Sequence, residues 1–109
     1  MNPSFEQVAG ALLIHLTGPL EQAELNHKIE WILTQPGPGV VLNCAQLQTI
    51  DAAGFSFLVF LYKRLGQSGK KLALCGLRPN LLHLFMITRL DQVLKCFVST
   101  EAALAYLAL

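Results

Sequence analysis

The residues best placed to do chemistry are Asp51, Ala52, Ala53 and Gly54, between the apolar run Val40-Val41-Leu42 and the apolar stretch Phe55 to Leu65. An aspartate just ahead of a helix accepts hydrogen bonds from the first free backbone N–H groups. The helix start behind it is electropositive and favours anions. What such a position can do is set by the residues just inside the helix. Here they are two alanines, which carry no hydroxyl, thiol or charge. Cys44, Cys75 and Cys96 have no CxxC spacing, and an odd number argues against a disulfide framework. With His15, His27 and His83 they make no metal-ligand pattern, so buried, inert thiols are expected rather than a zinc site. No histidine has the local Cys, Ser or Asp company of a catalytic pair, and no catalytic residue is assigned. Gln35-Pro36-Gly37-Pro38-Gly39 invites comparison with a phosphate-cradling loop, but prolines lack the N–H donors and no Lys-Ser/Thr follows. It reads as a connector.

The elements around Asp51 follow from periodicity. Phe5 to Val8 and Ala11 to Leu16 read as two strands turning at Ala9-Gly10. From Leu20 to Leu33, Ala23, Leu25, Ile29, Ile32 and Leu33 recur at helical spacing. Val40 to Leu42 reads as a buried strand, followed by the Asp51 helix and a Gln67-Ser68-Gly69 turn. Leu72 to Cys75 is the next strand. Pro79 suits the first turn of a helix running to Ile87, and Val93 to Val98 is strand-like. Ser99 caps a last helix that packs through Ala102, Ala103, Tyr106 and Leu107. Strands alternating with helices predict an α/β fold: a mostly parallel sheet, an N-terminal antiparallel hairpin and about four helices.

Bulk properties narrow the class. The chain of 109 residues predicts a single domain, 1–109, with one core and no internal repeat. A hydrophobic fraction of 53% against 14% charged excludes disorder, and hints at more apolar surface than a solitary monomer needs. The formal net charge is +1 with Lys and Arg scattered, which gives nucleic-acid binding no support. No charged-then-apolar leader opens the chain, and apolar runs fall short of the ~18 residues of a spanning helix. The expectation is a cytoplasmic protein without direct membrane insertion.

The Asp51 helix has two sides of interest. At about 100° per residue, Phe55, Leu58, Val59, Tyr62 and Leu65 make the face expected to meet the core. Ala53, Phe57, Phe60 and Arg64 fall on the other side, near Ser56 and Lys63. Either a neighbouring helix covers the two aromatics or they form a partner surface. In the next helix Leu81, Leu82, Leu84, Phe85, Met86 and Ile87 are apolar almost all round, so one of its sides is also open or paired.

The pattern strand–Asp51-Ala52-Ala53-Gly54–helix resembles the STAS domain, the fold of bacterial anti-sigma-factor antagonists. Gly18-Pro19-Leu20-Glu21 is similar to the family's Gly-x-Leu-Asp ahead of its first helix. Lys71 to Gly76 resembles the next strand, and Arg78-Pro79 through Leu90-Asp91 the following helix and its exit. Leu94 to Leu109 resembles the last strand and helix, so the likeness covers nearly the whole chain. It implies a regulatory binding module rather than an enzyme, with Glu21, Asp51, Ala52, Ala53, Gly54, Ser56, Phe57, Phe60 and Arg64 toward a partner. The implied partner is a kinase-like anti-sigma factor, and the sigma factor is released on docking. No cofactor is implied; any ATP belongs to the kinase. A second role stays open, as accessory subunit resting on the ATPase of an ABC-type lipid transporter, and a weaker third as scaffold in a stress-signalling assembly. Pairing with a second copy also stays open.

Three departures from the family matter. Its motif carries a Ser or Thr at the helix start that the kinase phosphorylates, adding about −1.5 to −2 charge. Ala52 and Ala53 stand there, so the phospho-acceptor is lost. Ser56, one turn inside the helix, and the off-motif Thr49 are poor substitutes. Glu21 replaces the usual Asp. Arg89 stands where a glycine often ends the helix, so that exit must strain or be rebuilt.

Overall fold

The computed structural model describes residues 4–19 and 25–109. Strands β1 (Ser4–Val8), β2 (Ala11–Pro19), β3 (Gly39–Thr49), β4 (Lys71–Cys75) and β5 (Lys95–Phe97) alternate with helices after the opening hairpin. The helices are α1 (Ile29–Thr34), α2 (Ala52–Gln67), α3 (Pro79–Ile87) and α4 (Thr100–Leu107), with a 3₁₀ turn at Leu90–Gln92. The expected helix over residues 20–33 lies partly outside the described residues, as does Glu21 entirely.

The five strands are ordered β1-β2-β3-β4-β5. β1 and β2 are antiparallel, and the remaining pairs are parallel. The hairpin closes through Ala9 and Gly10, both at positive φ (51° and 81°), as the twist of a two-residue turn demands. Strand alternation divides the core. Leu12, Ile14, Leu16, Val40, Leu42, Leu72 and Leu74 face α1, α2 and α3, whereas Ala11, Leu13, Val41 and Ala73 face Ala103 and Leu107 of α4. Helix ends are closed by chemistry the chain supplies locally. Ser99 Oγ accepts from the Ala102 N–H at 3.2 Å, and Pro79 opens α3. Gly69 (φ 73°) ends α2, where the Lys70 N–H donates to the Leu65 carbonyl at 2.8 Å. Lys70 Nζ donates to the Leu33 (3.2 Å) and Gln35 carbonyls at the exit of α1, holding the Pro-Gly connector that follows.

The sheet also decides how α2 sits, and here the periodicity misled. The buried side chains are Phe57, Leu58, Leu61 and Leu65, with Gly54 buried among them. Tyr62, expected inside, is 38% exposed, and Phe57, expected on the partner face, is 5% exposed. The helix is thus rotated by most of one residue step from the expected orientation. The polar positions Ser56 and Lys63 fall opposite this buried face, so the observed seating keeps them toward water.

Candidate partner-binding site at the start of α2

β3 is longer than its neighbours and delivers the site. It pairs with β4 only as far as Asn43↔Cys75, and its remainder runs on beside β2 alone. There the register shifts, so that His15 pairs with Asn43 but Thr17 with Gln46. The extra β3 residue is a bulge, stabilised by Asn43 Oδ1 accepting from the Ala45 N–H at 3.1 Å. Its effect is to reverse the alternation: Cys44 and Leu47, three apart, both join the core facing α2. Leu47 and Ile50 then pin the chain into the core, and Asp51 emerges exposed at the edge.

Asp51 is extended (φ −93°, ψ −178°) and caps α2. Its Oδ1 accepts from the Gly54 N–H at 2.8 Å, and its carbonyl from the Phe55 N–H at 3.0 Å. Ala52, Ala53 and Ser56 are exposed around this start. Further along, Phe60 is 44% exposed, and the Arg64 guanidinium lies 5.8 Å from its ring centroid. Arg64 also donates to Glu30 Oε1 of α1 at 3.0 Å. The open surface therefore gathers Asp51, Ala52, Ala53, Ser56, Phe60 and Arg64. Gly54 and Phe57 lie beneath it and support it from the core.

One feature lies beyond the reach of residue spacing. Phe55, Ser56 and Val59 form one wall of a groove of about 340 Å³, and Leu90 forms the other. Val59, expected in the core, is half-buried at this wall, and the pairing with Leu90 is a tertiary contact that spacing does not reveal. Arg89, beside Leu90, adopts the left-handed conformation (φ 62°, ψ 17°), so the glycine-less exit of α3 is indeed strained.

The remaining polar and thiol groups lie elsewhere. His15 is held at both ring nitrogens, Nε2 2.6 Å from Glu6 Oε1 and Nδ1 3.1 Å from Asn43 Nδ2. Burial pushes all three thiols up. Cys44 is raised further by Cys75 and Cys96, and Cys75 is partly relieved by a hydrogen bond with Thr100. Cys96 reaches about 11 through burial and the nearby Asp91 carboxylate. Thiols held protonated in this way are poor nucleophiles. Among the described residues no group of three or more His, Cys, Asp or Glu could hold a metal ion, and no helix is long and apolar enough to cross a membrane.

Known proteins share this fold. The sequence pattern of the STAS domain family matches residues 2–103. BtrV of Bordetella bronchiseptica, named as a candidate anti-sigma factor antagonist, is 28% identical over 108 residues, covering 96% of this chain and 93% of BtrV. An anti-sigma-factor antagonist (STAS) domain protein from Planctomyces limnophilus superimposes with a TM-score of 0.86 at 16% identity, over 100% of both chains. An anti-sigma factor antagonist from Mycobacterium paratuberculosis gives 0.85 at 16% identity, over 98% of this chain and 93% of its own. At that identity the two structures establish a common fold.

Proposed function

The chain belongs to the STAS domain family, and from that premise we propose that it is a non-enzymatic anti-sigma-factor antagonist. It docks the start of α2 on a kinase-like anti-sigma factor and so frees the sigma factor. The observation that carries the reading is the exposed, Asp51-capped helix start with alanine at both inner positions. An anionic group added there would gain from the helix dipole and would repel an acidic or apolar partner surface. Ala52 and Ala53 cannot accept phosphate, so docking stays permanently enabled, and the protein's abundance sets its effect. The relationship to BtrV supports the same assignment.

The test is titration of the purified protein into a purified kinase-like anti-sigma factor with ATP or ADP, alongside a radiolabelled phosphate-transfer assay. Wild type binds and takes up no label, and Ala53→Glu binds at least tenfold more weakly. Ala52→Ser or Ala53→Ser becomes labelled. Absence of binding with either nucleotide would count decisively against the assignment, and labelling of wild type would place a phospho-acceptor elsewhere.

A further inference from the structure

Glu6, His15 and Asn43, on three neighbouring strands, form a hydrogen-bonded chain that ends on the β3 bulge. His15 Nε2 lies 2.6 Å from Glu6 Oε1, and His15 Nδ1 lies 3.1 Å from Asn43 Nδ2. Asn43 Oδ1 accepts from the Ala45 N–H at 3.1 Å. The chain fixes every proton in it. The Ala45 N–H can only donate, so the Asn43 oxygen faces it and the amide NH₂, also a donor, turns to His15. Nδ1 therefore accepts, and the single proton of the neutral ring sits on Nε2, where it donates to Glu6. In this state each donor meets an acceptor.

A second proton breaks the match. Histidine is the side chain that ordinarily changes charge between about pH 5 and 8. The Nε2 side tolerates a charged ring, because the contact with Glu6 becomes an ion pair. The Nδ1 side does not, since a new N–H there points at the Asn43 NH₂. Turning the amide over satisfies the ring but sets the NH₂ against the Ala45 N–H. Among the described residues His15 makes no other side-chain hydrogen bond. On the same sheet face the next titratable groups are Cys75 of β4, paired with Asn43 and bonded to Thr100, and Glu101 of α4 near that thiol. With the ring held by Glu6, the bond to Ala45 is the one surrendered.

We propose that Glu6, His15 and Asn43 are a proton-sensitive latch on the β3 bulge. It is closed while Nδ1 is bare, and it releases Ala45 when Nδ1 takes a proton from water. The bulge sets the phase that seats both Cys44 and Leu47 in the core and brings Asp51 to the edge. Release therefore slackens the strand that presents the start of α2. The inference concerns the hold on the bulge and stands independently of the docking assignment.

The test is amide and imidazole NMR of the full chain from about pH 8 to about pH 5, on wild type, His15→Gln and Asn43→Asp, with circular dichroism melts verifying each fold. In wild type the Ala45 amide shift titrates with the same midpoint as the His15 ring. Its hydrogen-exchange protection, corrected for the intrinsic pH dependence, falls at least about threefold. His15→Gln abolishes the transition at Ala45. Asn43→Asp moves the ring titration to higher pH and removes the loss of protection, because a carboxylate accepts from both the Nδ1–H and the Ala45 N–H. An Ala45 amide that does not follow the ring in wild type overturns the latch, and so does one that responds to pH equally in His15→Gln. Loss of protection in Asn43→Asp as large as in wild type also overturns it.

Discussion

Phe57 and Phe60, three residues apart on α2, provide a sharp test of how the helix is seated. Phe57 is 5% exposed within the core beneath α2, and Phe60 is 44% exposed on its outer side. Truncating a buried phenylalanine to alanine costs about 3–5 kcal/mol, the transfer free energy of the ring plus that of the cavity left behind. Against a total stability of roughly 5–15 kcal/mol, Phe57→Ala removes a large share of what holds the fold. The melting temperature should fall by on the order of 15 °C in a chain of this size. Phe60→Ala loses a half-wet ring and its contact with Arg64, an interaction worth about 0.5–1 kcal/mol at an exposed site. Its stability cost should stay near ~1 kcal/mol, whereas partner affinity should drop. Urea unfolding followed by far-ultraviolet circular dichroism gives both stabilities, with Trp31 fluorescence checking that the probes coincide. Equal costs for the two variants, or a cost below ~1 kcal/mol for Phe57→Ala, would refute the seating of α2 and restore the orientation suggested by periodicity.

Asp51→Ala removes the acceptor of the Gly54 N–H and should cost about 1 kcal/mol, whereas Asp51→Asn, an equally good cap, should retain the stability. Equal losses for both variants in urea titrations would show that charge, not capping, is the stabilising element. The raised thiols predict a loss of stability at alkaline pH. Cys96 ionises near 9.0 when unfolded but only at about 11 when folded, so its contribution is complete below pH 9 and is lost as pH rises through the folded value. Urea midpoints measured from pH 7 to 11 should decline above pH 9, less steeply in Cys96→Ala; identical slopes would show that this thiol is not the titrating group.

How much of this could be read beforehand depended on whether a residue's local chemistry was specific. Asp51, Pro79 and Ser99 act within one turn of their own positions, and their caps and helix starts are found where the residue types placed them. The Ala9-Gly10 hairpin was legible for the same reason, and so was the difficulty at Arg89, where no glycine was available for a left-handed exit. The seating of α2 was legible only through its polar positions: Ser56 and Lys63 lie opposite the face that is buried, whereas the apolar residues Phe55, Val59 and Tyr62 point to a different one. The β3 bulge was hidden. Cys44 and Leu47 look out of phase in a regular strand, and only the slip against β2 brings both into one core. The groove joins α2 to Leu90 across more than thirty positions of chain, beyond the reach of any spacing rule.

The hydroxyl-free helix start acquires a logic once its charge is considered. The start of α2 carries the positive end of its dipole, equivalent to roughly half an elementary charge, and the Asp51 carboxylate is bonded against it. A phosphate at position 52 or 53 would add about −1.5 to −2 charge beside that carboxylate and change the field a partner meets. The fold itself does not require alanine there: both positions are exposed, and Asp51 already satisfies the Gly54 N–H. Serine at either place would disturb no packing. The alanines therefore bear on what the surface can become rather than on how it folds. On the proposed docking, they keep the helix start permanently free of that added charge, so that control must come from how much of the protein is present.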